Sequence, residues 1–128
     1  MSENKDIYEE VQQKLASWGI DVERVTQALR EEYNLFDSDE NPITYAEYVI
    51  TGSDMDKHWS IYDGTKPEKG DMLFAVVYAN KIMTGSLEDL RKISPKNGEV
   101  FEFTFIRNNS NLKVQATFRG DKAQRMVL

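Results

Sequence analysis

The chain has 128 residues and carries 22 acidic against 16 basic side chains, for a net charge of −6; a chain of this length buries roughly two thirds of its unfolded surface in one domain. With no cysteine, disulfides, thiolate metal sites and thiol nucleophiles are excluded, and the acidic balance disfavours nucleic acid as a partner. The opening MSENKDIYEE holds no apolar signal core and no apolar run approaches the ~20 residues of a membrane span, so the sequence predicts a soluble, cytoplasmic protein with no membrane partner.

Over residues 3–18, Ile7, Val11, Leu15 and Trp18 recur at helical spacing opposite Glu and Gln, which predicts an amphipathic helix ended by Gly19. Asp21 is placed to cap a second helix with Val22, Val25, Ala28, Leu29 and Tyr33 on its apolar face. Residues 1–36 therefore read as a helical hairpin. The turn formers DSDENP follow, and Pro42 disfavours helix at Asn41.

ITYAEYVIT, from residue 43, is rich in β-branched and aromatic residues and predicts a strand. GSDMDKHWSIYDGTKPEKGD reads as irregular, with one helical turn over 54–59. MLFAVVY (72–78) is an almost unbroken apolar run, as expected of a strand covered on both faces.

GSLEDLRKI (85–93) predicts a helix whose Ser86 and Asp89 form a capping box, with Leu87, Leu90 and Ile93 buried and Pro95 and Gly98 as the stop. EVFEFTFIR and LKVQATF both alternate apolar and polar residues across the turn 108–111, which predicts a β-hairpin with Phe101, Phe103 and Phe105 on its core face. In the tail, RGDKAQRMVL reads as frayed and its Arg-Gly-Asp triplet as incidental. The basic residues of the last third, Lys92, Lys96, Arg107, Lys113, Arg119, Lys122 and Arg125, read as a solvated surface.

Several of these segments carry a family resemblance. Lys69-Gly70-Asp71-Met72-Leu73-Phe74-Ala75-Val76, then Thr84-Gly85-Ser86-Leu87-Glu88-Asp89-Leu90-Arg91, then Gly98-Glu99-Val100 running to Arg107, resemble the C-terminal half of a PDZ domain. Val49-Ile50-Thr51-Gly52-Ser53 is similar to the segment that precedes the Gly-Asp strand in that family, so the resemblance covers roughly 43–119. It implies an α+β fold in which the N-terminal helical hairpin packs on a small, PDZ-like, partly open β-barrel with one crossing helix, the PDZ-like region spanning 37–128.

The function implied is a non-catalytic module that binds a peptide or protein partner through a strand-edge groove, with no cofactor. Carried onto this sequence, Tyr33, Asn34, Leu35 and Phe36 would form the carboxylate loop, Ile43 and Tyr45 the groove strand, and Leu87, Leu90 and Arg91 the helix side. Asn34 stands where the family has glycine. Asn is among the residues that best tolerate the left-handed conformation such a loop needs.

Two other readings accompany this one. Asp37, Asp39, Asn41 and Glu47 suggest a calcium-responsive loop, although position twelve counted from Asp37 is Tyr48 and Pro42 takes the place of the turn glycine. The alternative without a ligand is a small accessory subunit with a degenerate groove. Asp54, Asp56 and His58 make at most a weak metal site, and the single His, with no nucleophile elbow or phosphate loop, points away from an enzyme.

Overall fold

A computed structural model describes residues 6–119; the predicted tail from Gly120 onward, with most of its Arg-Gly-Asp triplet, and the first residues of the first predicted helix lie outside the described residues. Helix α1 spans Ile7–Ser17, opened by Asp6, whose carboxylate accepts from the Tyr8 N–H. Its Val11 and Leu15 are buried, and Trp18 follows them into the core. Gly19 ends it as expected, with φ +86°.

The second helix of the predicted hairpin is not formed as expected. Residues Ile20–Arg24 make strand β1 instead, with Ile20 and Val22 inward and Asp21 and Glu23 outward. The apolar residues here fit a period of two as well as a helical period, and antiparallel pairing with β2, Tyr48–Ser53, selects the strand. Only Gln27–Glu32 remains helical, as α2, capped by the Thr26 hydroxyl, which accepts from the Leu29 N–H.

The predicted strand from residue 43 becomes regular only at Tyr48; before it lie isolated bridges, Phe36 with Pro42 and Ala46 with Gly85. A single 3-10 turn, Met55–Lys57, sits where one helical turn is expected. Beyond it, Trp59–Gly64 forms β3 in a stretch that reads as irregular, because its partner is distant in sequence. Strand β4, Met72–Tyr78, matches the apolar run and turns back through Ala79 and Asn80, both left-handed, into β5, Lys81–Thr84.

The predicted capped helix is a shorter 3-10 helix, Glu88–Lys92, and Ser86 does not cap it. Gly85 and Leu87 both take positive φ, so the chain turns tightly there and buries Leu87 and Leu90 before Pro95. The final hairpin is as expected: β6, Val100–Arg107, and β7, Ser110–Phe118, with a tighter turn at Asn108 and Asn109.

The fold is α+β. Its seven strands form one antiparallel sheet in the order β1-β2-β4-β6-β7-β3, with β5 added to β4, and it curls so that the Trp59 indole N–H reaches the Trp18 carbonyl at 2.9 Å. Both faces are covered. Tyr48, Ile50, Leu73 and Phe105 join the core under α1 with Trp18, Trp59 and Phe101, while Val49, Met72 and Ile106 point the other way to Leu35, Ile43 and Ala46. That double burial is why MLFAVVY lacks the alternation of a half-exposed strand. Among the described residues no helix is long and apolar enough to cross a membrane.

Candidate functional site

The α2 side of the sheet carries a cleft of about 570 Å³ between the loop 33–36 and the turn at Asn108 and Asn109. Its floor is apolar, because Leu35, Ile43, Met72 and Ile106 are the buried residues of that face. The loop reaches it through a left-handed Asn34, φ 57°, immediately after α2. Gly70, φ 98°, makes the facing turn, where an added Cβ would meet the Tyr33 ring at 3.2 Å.

Asp71 anchors this end of the cleft and is 3% exposed. Its Oδ2 accepts from the Glu68 N–H at 2.7 Å and from Arg107 Nη2 at 2.7 Å, and its Oδ1 accepts from Arg107 Nε at 2.9 Å. The bidentate fork fixes the guanidinium, and the carboxylate beside it raises the Arg107 pKa further above its ordinary value. Asp71 thus satisfies a neighbouring backbone N–H and holds a partner that arrives from the end of β6. Lys69 also lines the cleft and is exposed, with no ion pair among the described residues.

Of the residues expected from the family resemblance, Tyr33, Asn34, Leu35, Phe36 and Ile43 are brought together in this cleft. The loop is not an open row of amides, since the Tyr33 N–H donates to Leu29 and the Leu35 N–H to Arg30, both at 2.9 Å. Ile43 is likewise occupied along its backbone: its N–H donates to the Leu35 carbonyl at 3.2 Å and its own carbonyl accepts from Arg30 Nη1 at 2.7 Å. Tyr45 stands 52% exposed, its ring edge-on to Phe74.

Leu87, Leu90 and Arg91 lie elsewhere. Leu87 and Leu90 belong to the core under α1, and Arg91 pairs with Glu10 of that helix at 2.9 Å, so α1 occupies the place where a ligand would meet the helix side. Glu32, Glu68, Lys69, Met72, Ile106, Arg107 and the two turn asparagines also line the cleft without having been expected there. The Gly70-Asp71 pair and Arg107 near the hairpin turn were visible as parts of the resemblance, but their meeting depends on β4 pairing with β6.

The acidic loop is organised by its own backbone. Asp37 Oδ1 accepts from the Asp39 and Asn41 N–H groups, both at 2.9 Å, while the Glu47 carboxylate holds the Tyr8 hydroxyl proton above its ordinary range. Among the described residues no three His, Asp or Glu side chains gather to hold a metal ion. Those lining the cleft include no Cys, His, Ser or Thr. No protein-family model matches this chain, and no curated protein does so.

Proposed function

We propose that this chain is a non-catalytic interaction module that takes an extended segment of a peptide or protein partner into the cleft between the loop 33–36 and the β6–β7 turn. The observation that carries the reading is the convergence of Tyr33, Asn34, Leu35, Phe36 and Ile43 on an apolar floor, beside Lys69, which has no ion pair among the described residues. An apolar side chain of the partner would rest on Leu35, Ile43 and Met72, and a carboxylate would face Lys69; the rim around that floor is polar and includes Glu32 and Glu68. The PDZ resemblance supplies a compatible expectation for the loop, but recognition here would rest on side chains more than on ladder bonds, because the Ile43 backbone is already bonded.

The test is a backbone NMR titration of the labelled chain with a pooled library of peptides carrying free C-termini. Shifts clustered at 33–36, 43, 69–72 and 106–109 are expected, with Lys69→Glu weakening binding by about tenfold or more. Shifts confined to 86–93 would move the site to the α1 face, and a spectrum unchanged by every peptide would discard the cleft as a peptide site. The accessory-subunit reading draws on the burial of Leu87 and Leu90 beneath α1; it predicts a stable folded partner in pull-down and no selectivity among peptides.

A further inference from the structure

A second surface, independent of the cleft, is the outer edge of β5. The turn at Ala79 and Asn80 has φ of 53° and 66°, the two-residue type that leaves Tyr78 and Lys81 as the hydrogen-bonded pair. Val77 and Ile82 then oppose one another without bonding, so the Ile82 N–H and C=O point away from β4. Nothing among the described residues bonds to them, and the Ile82 side chain is 70% exposed, the highest value among the large apolar side chains that stand out from the surface. The bridge between Ala46 and Gly85 lies beyond the end of the strand.

Beside this edge is an open hollow of about 400 Å³ lined by Met83, Leu87, Glu88 and Asp89, among others. Neither acidic side chain has an ion-pair partner among the described residues, and exposed Lys81 has none either. The edge thus presents the outward N–H and C=O of an exposed isoleucine and a lysine, and the neighbouring 3-10 helix two carboxylates, none of the three charges ion-paired among the described residues.

We propose that these features meet their complement in a second copy of the chain: two β5 strands pair antiparallel about a two-fold axis at Ile82. In that register Ile82 opposes Ile82, and the pair exchanges both backbone hydrogen bonds. Lys81 opposes Met83 of the second copy and lies on the same strand face, because alternate residues share a face. Its alkyl stem covers the hollow and its ammonium meets Glu88 and Asp89 there. The same contacts recur with the copies exchanged, as a two-fold interface requires. A basic peptide from another protein would use only the acidic half of this surface and would leave Lys81 unmatched, which is why a second copy fits better.

Sedimentation velocity on the full chain tests the proposal. The wild type should shift from monomer to dimer over roughly 10 µM to 1 mM, the range of small interfaces. Ile82→Pro removes the outward N–H without costing a ladder bond to β4, and should abolish the shift while the melting curve keeps its shape. Should that variant fail to fold, charge exchange decides: Lys81→Glu alone and Glu88→Lys with Asp89→Lys alone should each weaken self-association by about tenfold or more, and mixing the two proteins should restore a heterodimer. A wild type that stays monomeric throughout overturns the proposal. So does a dimer indifferent to these substitutions, or a mixture that fails to associate.

Discussion

Leu90 carries two expectations from the sequence, a place in the buried stripe of its helix and a place on the helix side of a groove. It is fully buried, 0% exposed, in the cluster that includes Val11 and Leu15 of α1. Leu90→Ala should therefore lower unfolding free energy by ~2–5 kcal/mol in urea titration and leave any peptide affinity of the folded protein unchanged. Glu99 is a second residue with a defined consequence. Its Oε2 accepts from the Tyr78 hydroxyl at 2.7 Å and its Oε1 from the Lys96 N–H at 2.7 Å, and these bonds hold its carboxyl below the ordinary value of 4.5. The folded state then binds fewer protons than the unfolded chain in this range. The contribution is fully present above pH 4.5 and is lost as pH falls through the depressed value. Stability curves of Glu99→Gln should accordingly be flatter on the acid limb; an identical acid limb would mean the bond does not persist in solution.

Elements differ in how far their own residues specify them. Alternating phenylalanines in β6 and alternating Leu112, Val114 and Ala116 in β7 need only a local turn to bring their faces together, so the hairpin is legible from the chain itself. The β1 segment is not, because Ile20 and Val22 alternate while Val22, Val25 and Leu29 also suit a helix. Its choice depends on β2, whose Val49 and Ile50 offer partners. The connection into β1 is correspondingly tight: Gly19 sits at φ +86°, and an added Cβ would lie 2.5 Å from the Asp54 carbonyl oxygen. Gly19→Ala should cost about 1–3 kcal/mol by thermal unfolding, combining a left-handed backbone with that clash. Retention of wild-type melting would show that the turn relaxes. The 3-10 helix Glu88–Lys92 makes the same point in reverse, since its capping signal at Ser86 is locally sound but the left-handed Leu87 turns the backbone before a cap can form.

Across the whole molecule, β4 and β6 lie inside the sheet and contribute to both hydrophobic clusters. Amide hydrogen exchange should be slowest there, at Leu73, Val76, Phe103 and Phe105, and faster by orders of magnitude in α2, which buries none of its residues. Uniform protection would contradict that gradient. The candidate cleft shows the same division between local and distant information. Its loop residues Tyr33 to Phe36 and Ile43 are close in sequence and were legible together, whereas Lys69, Met72, Ile106 and Arg107 come from β4, β6 and their flanks.

Periodicity and turn residues determined the first helix, the buried β4 run and the final hairpin, because each depends on neighbours within a few residues or on one unambiguous period. Tertiary structure alone decided that residues 20–24 and 59–64 are strands, that α1 lies over Leu87 and Leu90, and that Arg107 closes on Asp71. Those outcomes turn on ladder partners and burial supplied from distant parts of the chain, and a linear pattern compatible with two periods carries no preference until such a partner is present.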